Sequence, residues 1–551
     1  MRWLACSFCE RLFTACPGVQ SCRLPAGETC SADSPLRLNL PHAAVVLTPV
    51  TSRIPEDSAM AMPTDSIAFH ARLSPQQLAA RDLLLGIEWT YAELDALVGR
   101  LAAMLRKRGC VDGERLAVLA RNSVWQVALH FACGRVGAIY VPLNWRLSAS
   151  ELDALLQRAQ PRLLLGDDVA AGRTDVEALA GFIASADALE PADTPSIPPE
   201  RVSLILFTSG TSGQPKGVML SEQNLQHAAH NFGVTTRVDA RSSFLCEAPM
   251  FHTIGLVTNV RPVLAVGGSI QVSNGFEPKR TLGWFSDQSL GITHYVGVPQ
   301  MMQAFRHQPG FDAAALRHLT ALVSGGAPHA SEDLLGWLDD GIPMVCGFGM
   351  SEAGTVFGMS VNCDVIRNKL GAAGIATPSV QTRVVDANGD DCPAGVPGEL
   401  LLRGPNLSPG YWRDPQASAE VLDSEGWFRT GDIVQRDADG FFWVVDRKKD
   451  MFISGGENVY PAEIEAVLAD HPHIRECAVV GMADQQWGEV GYLAIVPADE
   501  MTDLEEIRSY LITRLAKYKV PKHLRLVDAL PRTATGKLQK AGLRDALASG
   551  N

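Results

Sequence analysis

Apolar and polar residues follow two rhythms along most of this chain, and each rhythm predicts its own kind of element. Leu94, Leu97, Val98, Leu101 and Leu105 recur with the helical period behind Thr90-Tyr91-Ala92-Glu93, whose Thr and Glu spacing is that of a capping box. That stripe runs to Arg106-Lys107-Arg108 and stops at Gly109. Apolar runs at residues 116–119, 139–143 and 163–165 are too short for helices and read as buried strands. Residues 125–135 read as a helix, and Ser148 with Glu151 caps another that Pro161 ends. Helices alternating with short apolar strands predict an α/β sheet protein.

The alternation lapses over residues 187–200, rich in Pro, Asp and Ala, then resumes with an apolar strand at 202–207. Ser221 can cap a helix carrying Leu225, Ala228, Ala229 and Phe232 on one face. Strand signals recur at 292–298 and 322–324. From Val380 the texture changes to short strands at 384–385, 398–403 and 441–445, with Asn388-Gly389 and Asp439-Gly440 turns, which predicts an antiparallel or barrel-like section. After the charged run Asp446-Arg447-Lys448-Lys449-Asp450, about a hundred residues carry their own helices (461–469, 504–515) and strands (478–480, 492–496), the mark of a small second domain. The predicted fold class is therefore α/β, a large N-terminal domain of α/β sheets plus a β-barrel-like section, followed by a small mobile α+β domain. The expected boundaries are 60–446 for the large domain, 447–449 for a hinge and 450–551 for the small domain.

Composition narrows the picture. At 551 residues the chain exceeds what one core supports, and 46% hydrophobic with 20% charged residues suits a globular protein. A net charge of −13 disfavours nucleic acid and anionic membranes, and no run approaches the roughly 18 apolar residues of a membrane span. Seven of the twelve cysteines are scattered singly, as in a reducing cytoplasm. The other five crowd the first thirty residues, where Cys6 and Cys9 form one Cys-x-x-Cys pair with no second pair to complete a metal site. The apolar leader is broken at Cys9-Glu10-Arg11, short of a signal-peptide core. Residues 1–59 are expected to be a disordered extension or a mis-assigned start, with Met60 or Met62 opening the folded protein.

The candidate chemistry begins at FTSGTSGQPKGV, residues 207–218. A buried strand leads into six residues that are all Thr, Ser or Gly, and Lys216 follows after Gln214 and Pro215. Free backbone N–H groups, hydroxyls and a lysine make a phosphate cradle. It is not a Walker A loop, which needs Gly at Pro215 and Ser or Thr at Gly217. A returning strand, not a helix, is expected from Gly217 onward.

Four further segments follow in order: GFGMSE (347–352), FRTGD (428–432), DRKKDMFISGGENVYPAEIE (446–465) and PRTATGKLQK (531–540). With the cradle they resemble the ordered core motifs of the adenylate-forming superfamily, which includes acyl-CoA synthetases, luciferases and nonribosomal adenylation domains. The resemblance runs from about Ser66 to the end. It implies attack of a carboxylate on the α-phosphorus of ATP, giving an acyl-adenylate and pyrophosphate, followed by attack of a thiol on the adenylate. The first step joins two anions, so charge must be neutralised and the partners held in line.

By this resemblance, Thr208, Ser209, Gly210, Thr211, Ser212, Gly213 and Lys216 hold the β- and γ-phosphates, and Thr208 with Glu352 serves Mg²⁺. Gly325, Gly326 and Ala327 pass the adenine edge, while Gly347, Phe348, Gly349, Met350 and Ser351 frame the base. Phe348 stands where relatives have tyrosine, which keeps the stacking face and loses a hydroxyl. Asp432 takes the ribose hydroxyls, Arg447 makes a second nucleotide contact, and Lys537 is the catalytic lysine at the α-phosphate. Ser454, Gly455 and Gly456 belong to the coenzyme A channel of the second half-reaction, with Lys449 as the pivot. Trp487-Gly488-Glu489 resembles a further, structural motif.

His252, in Pro249-Met250-Phe251-His252, resembles the gate of an acyl pocket whose wall includes Val298, Met301, Met302, Cys346 and Val356. The segment from Met250 to Leu256 has no Asp to pair a substrate ammonium, which disfavours amino acids. A mostly apolar wall admits a fatty chain or an aryl acid. The expected activity is ATP- and Mg²⁺-dependent ligation of such an acid to coenzyme A. The alternatives are a ligase loading an acyl-carrier protein in trans, or a non-catalytic nucleotide-binding relative.

Overall fold

In a computed structural model, the residues described are 37–40, 43–46, 65–192, 197–208, 215–326, 329, 331–454, 457–469, 471–484, 487–499, 503–515, 517–532 and 538–548. Residues 1–61 form a unit of their own, within which Arg37–Leu40 pairs antiparallel with Ala43–Val46. No apolar or turn pattern in the sequence predicts that hairpin.

Two large sheets build the first part of the second unit. Six strands run in the order Lys216–Ser221, Val202–Thr208, Ile139–Pro142, Arg115–Leu119, Leu163–Gly166 and Glu177–Ala178. Seven run in the order Met344–Cys346, Ala321–Ser324, His294–Gly297, Ser243–Cys246, Ser269–Val272, Leu78–Asp82 and Ile87–Thr90. Both are parallel apart from one antiparallel edge strand each, Lys216–Ser221 and Ile87–Thr90. Parallel strands need coverage on both faces, which explains their continuous apolar runs. Helix Val124–Val136 is apolar nearly all round and buried along its length, as a helix enclosed by other elements must be. The expected capping boxes form at Thr90/Glu93 and Ser148/Glu151, opening helices Tyr91–Lys107 and Ala149–Ala159.

Glycine-rich residues 209–214 lie outside the described residues, but the frame that carries them is clear. Thr208 and Lys216 are register partners, so the cradle joins two antiparallel neighbours, as the returning-strand reading required. Strand Lys216–Ser221 runs directly into helix Glu222–Thr236, which Ser221 and Asn224 cap reciprocally. At the junction the Glu222 carboxylate is buried and accepts two hydrogen bonds from Arg261, at 2.9 and 3.0 Å. The same guanidinium donates from Nε to His130 Nε2 at 2.8 Å and lies over the Phe131 ring. Burial, then the Arg261 charge, holds His130 well below its ordinary pKa, so it stays a neutral acceptor.

Beyond Val380 the expected antiparallel section is a four-stranded sheet, Gln381–Val385, Gly398–Arg403, Phe428–Arg436 and Phe442–Arg447. Gly389 and Gly440 adopt positive φ of 90° and 86°, as their predicted turns demand. The last part packs helices Pro461–Leu468, Leu504–Ile512 and Lys540–Ala548 on a sheet whose two long strands are Ile474–Asp484 and Gly488–Pro497. Both strands are longer than the sequence suggested, because polar ends such as Glu476 and Glu489 hid the pairing that the ladder enforces. Among the described residues no helix is long and apolar enough to cross a membrane.

Removing one member of a buried ion pair strands the other, at a cost of about 3–5 kcal/mol. Glu222→Ala should therefore lower Tm clearly in calorimetry of the full chain, whereas the double change Glu222→Met with Arg261→Met should recover most of the loss.

Candidate active site

Residues from remote parts of the sequence meet at the cradle's return strand. Its free edge is joined by residues 410–412: Trp412 N–H donates to the Gly217 carbonyl at 2.7 Å, and Met219 N–H to that of Gly410 at 3.1 Å. This places the Tyr411 ring 4.9 Å from Lys216 Nζ, a cation–π contact. Tyr411 OH in turn donates to Glu352 Oε1 at 2.9 Å. Burial, then the Glu352 charge, pushes the Tyr411 pKa up, which keeps it a donor. Glu352 sits in the turn between strands Phe348–Met350 and Gly354–Gly358, and its backbone carbonyl accepts from Ser408 N–H at 2.7 Å. Thr208 is half-buried on the other side of Lys216, its hydroxyl 3.4 Å from the Lys216 carbonyl. Lys216, Glu352 and Thr208 are thus organised around one loop, with Tyr411 as a link that no sequence motif announced.

The fit of a divalent cation rests on oxygen chemistry. Tyr411 fixes one Glu352 oxygen, and among the described residues the other takes no hydrogen bond. The described residues contain no cluster of three His, Cys, Asp or Glu side chains able to hold a metal. A carboxylate and a hydroxyl suit a hard ion whose remaining ligands are phosphate and water oxygens.

The carboxyl edge of the seven-stranded sheet carries glycines that the sequence resemblance places at a nucleotide site. Gly325 N–H bonds to the Gly297 carbonyl and Gly347 N–H to the Ser324 carbonyl, each at 3.2 Å. At Gly349 a Cβ would stand 2.5 Å from the Gly354 carbonyl oxygen, so close pairing of the two strands excludes any side chain. Phe348 is half-buried, 5.4 Å from Phe357, which stacks on Phe442 at 4.2 Å. Asp432 and Arg447 are register partners and form an ion pair at 2.6 Å, the carboxylate buried and the guanidinium partly exposed. Lys449 is exposed in the turn that follows. Just before it, buried Asp446 accepts from Ala462 N–H at 2.9 Å in the first turn of helix Pro461–Leu468. Ser454 is buried at the end of strand Phe452–Ser454.

The acyl-pocket candidates separate into groups. Met301 and Met302 are buried in the cluster against which Val298 and Cys346 pack, while Val356 belongs to a different cluster with Phe357 and Leu400. Burial pushes the Cys346 thiol up to about 12. His252 lies at the mouth of a π-helix, Ile254–Val260, closed by an Asn259 side-chain hydrogen bond to the Ile254 carbonyl at 2.7 Å. Among the described residues His252 Nε2 is buried without a hydrogen-bond partner, and burial, then Arg146, lowers its pKa to about 4. Thr253 OH reaches Ser351 at 3.1 Å, tying this segment to GFGMSE. Neither the π-helix nor that link was legible in the sequence. Ser209, Gly210, Thr211, Ser212, Gly213, Ala327, Gly455, Gly456 and Lys537 lie outside the described residues. Flanking Lys537, Arg532 and Leu538 form an antiparallel bridge, and Lys540 pairs with Glu465 at 2.8 Å.

The profile of the AMP-binding enzyme family matches residues 67–412, and that of its C-terminal domain matches 463–537. The chain belongs to the AMP-binding enzyme family. This AMP-binding enzyme is 40% identical over 483 residues to a feruloyl-CoA synthase from an Amycolatopsis species, covering 86% of this chain and 96% of that protein. It is 36% identical over 500 residues to an indoleacetate–CoA ligase from Aromatoleum aromaticum, covering 87% and 97%. Its fold is similar to that of ATP-bound MatB from Rhodopseudomonas palustris, with a TM-score of 0.80, 31% identity and coverage of 88% and 99%.

The enzyme's neutral His252 has a consequence for stability. Its pKa is depressed from 6.5 to about 4 on folding, so the unfolded chain binds more protons between those values. Stability should fall as pH drops from 6.5 towards 4. Replacing the residue, as in His252→Phe, should flatten the slope of Tm against pH in that window.

Proposed function

We propose that this AMP-binding enzyme activates a fatty or aryl carboxylic acid with ATP and Mg²⁺ to an acyl-adenylate, then transfers the acyl group to the thiol of coenzyme A, releasing AMP. The single observation that carries the reading is the meeting of Lys216, Tyr411 and Glu352 beside the Thr208–Lys216 hairpin. The cradle and Lys216 hold the β- and γ-phosphates that leave as pyrophosphate, and Tyr411 keeps Glu352 facing them. A Mg²⁺ held by Glu352 and Thr208 supplies positive charge to the phosphates. Asp432 is a buried carboxylate that accepts the ribose hydroxyls, with Arg447 beside it for a second nucleotide contact. Phe348 offers its ring to adenine, between the glycine backbones at 325–326 and 347–349.

Lys537 brings a positive charge to the α-phosphate, where charge spreads over several oxygens in the transition state. The small domain, 450–551, pivots at Lys449 after adenylation and presents Ser454, Gly455 and Gly456 to coenzyme A. Asp446 in the last strand of the large domain accepts from Ala462 N–H in the first helix of the small one, a contact that spans the proposed boundary. His252, Val298, Met301, Met302 and Cys346 surround the acyl group. The feruloyl-CoA synthase and indoleacetate–CoA ligase, at 40% and 36% identity, favour an aryl acid over the long chain of a 32%-identical fatty-acid ligase. Scattered free cysteines such as Cys110, Cys133 and Cys246 suit the reducing cytoplasm.

Pyrophosphate release over fatty, cinnamic, benzoic and amino acids, with and without coenzyme A, tests this reading. Release with an aryl or fatty acid, and acyl-CoA detected by mass when coenzyme A is present, is expected. Thioester formed only on an added acyl-carrier protein would replace coenzyme A as acceptor. Lys537→Ala should lower adenylation by about 10²-fold or more, an effect of the size seen for one transition-state charge contact. It should leave thioester formation from supplied acyl-adenylate largely intact, and equal loss of both would remove the assignment.

A further inference from the structure

One buried acid outside these assignments has an oxygen that takes no hydrogen bond among the described residues. Glu247 directly follows strand Ser243–Cys246 at the carboxyl edge of the seven-stranded sheet. Leu245 is the register partner of Tyr295, so Glu247, two residues on, falls level with Gly297. Gly297 pairs with Ser324, and Ser324 with Cys346. Side chains two apart on a strand share a face. Glu247, Gly297, Ser324 and Cys346 therefore make one row, on the face covered by Met301, Met302 and Phe305. The carboxyl edge of a parallel sheet is where such folds bind ligands.

Glu247 Oε2 accepts from Thr281 OH at 2.7 Å and Tyr295 OH at 2.9 Å. Among the described residues Oε1 is buried without a hydrogen-bond partner, and Arg280 forms a long ion pair with it at 3.9 Å. Burial pushes this carboxyl up to about 7, against the Thr281 and Tyr295 hydroxyls, the Arg280 charge and the Ser273 hydroxyl, which all favour the ionised form. Beside it the row is closely packed: a Cβ on Gly297 would stand 3.1 Å from Met302 Cε and 3.2 Å from Met301 Sδ, so those side-chain ends would have to give way. Methionine ends are unbranched and move readily. A buried acceptor thus lies behind a plug of flexible side chains, in the same row as the Cys346 wall.

We propose that Glu247 is a specificity residue for the acid, its Oε1 accepting a hydrogen bond from a hydroxyl at the end of the substrate remote from the reacting carboxylate. The assignment rests on the ligase reading above and adds the substrate class. A hydroxyl suits the site better than an ammonium group, because the Arg280 guanidinium would repel a second cation.

The test compares kcat/KM, by pyrophosphate release, for cinnamic against 4-hydroxycinnamic acid and octanoic against 8-hydroxyoctanoic acid. The wild type should favour the hydroxylated member of at least one pair by about tenfold or more, since a site built to bond a hydroxyl rejects the analogue without it. Glu247→Leu and Glu247→Gln should collapse that ratio, mainly through KM. Should Glu247→Leu be insoluble, the near-isosteric Gln variant decides. Equal treatment of each pair by the wild type, or a preference that survives both variants, would overturn the assignment. So would equal loss on both members through kcat. A wild type that releases no pyrophosphate with any acid refutes the ligase reading instead.

Discussion

The strand Lys216–Ser221 is hydrogen-bonded along one edge to Val202–Thr208, with Thr208 and Lys216 opposite each other, and carries residues 410–412 on its other edge. Its first residue is the cradle lysine, and its last caps the helix in which Glu222 meets Arg261. Strand pairing fixes backbone positions to within a residue, since a slip of one would turn Lys216 to the opposite face. Tyr411 then has a single place beside Lys216, from which its hydroxyl reaches Glu352. The lysine proposed to bind phosphate and the carboxylate proposed to hold the metal are set by the same ladder.

The buried Glu222–Arg261–His130 group anchors the other end of that strand. Such an ion pair adds little net stability over an apolar packing, but it penalises any arrangement that separates its members. It holds together helices Val124–Val136 and Glu222–Thr236 and the helix that begins at Arg261. The π-helix Ile254–Val260 leads into that last helix, so the His252 segment is braced from behind while Thr253 ties it forward to Ser351. Acyl and nucleotide candidates are therefore mechanically connected.

Most elements were legible because their signals are local. Capping boxes at Thr90 and Ser148, glycine turns at Gly389 and Gly440, and the strand before the cradle all depend on neighbours in sequence. Strand lengths in the last domain were not, since polar residues within Ile474–Asp484 join a ladder that only its partner specifies. Likewise Val356 and Met302 share an apolar character in sequence, yet the fold assigns them to separate clusters.

The sequence by itself determined the reaction class. A charge-neutralising cradle, a carboxylate at Glu352, an acid at Asp432 and a lysine at 537 are chemical types that spacing and order can reveal. The tertiary structure decided how the described members of that set are held. Tyr411 and Arg261 come from remote segments, and their roles exist only once strands pair. It also decided that Glu247 is buried level with Gly297, because register across a sheet, unlike the order of motifs, is set by long-range hydrogen bonds.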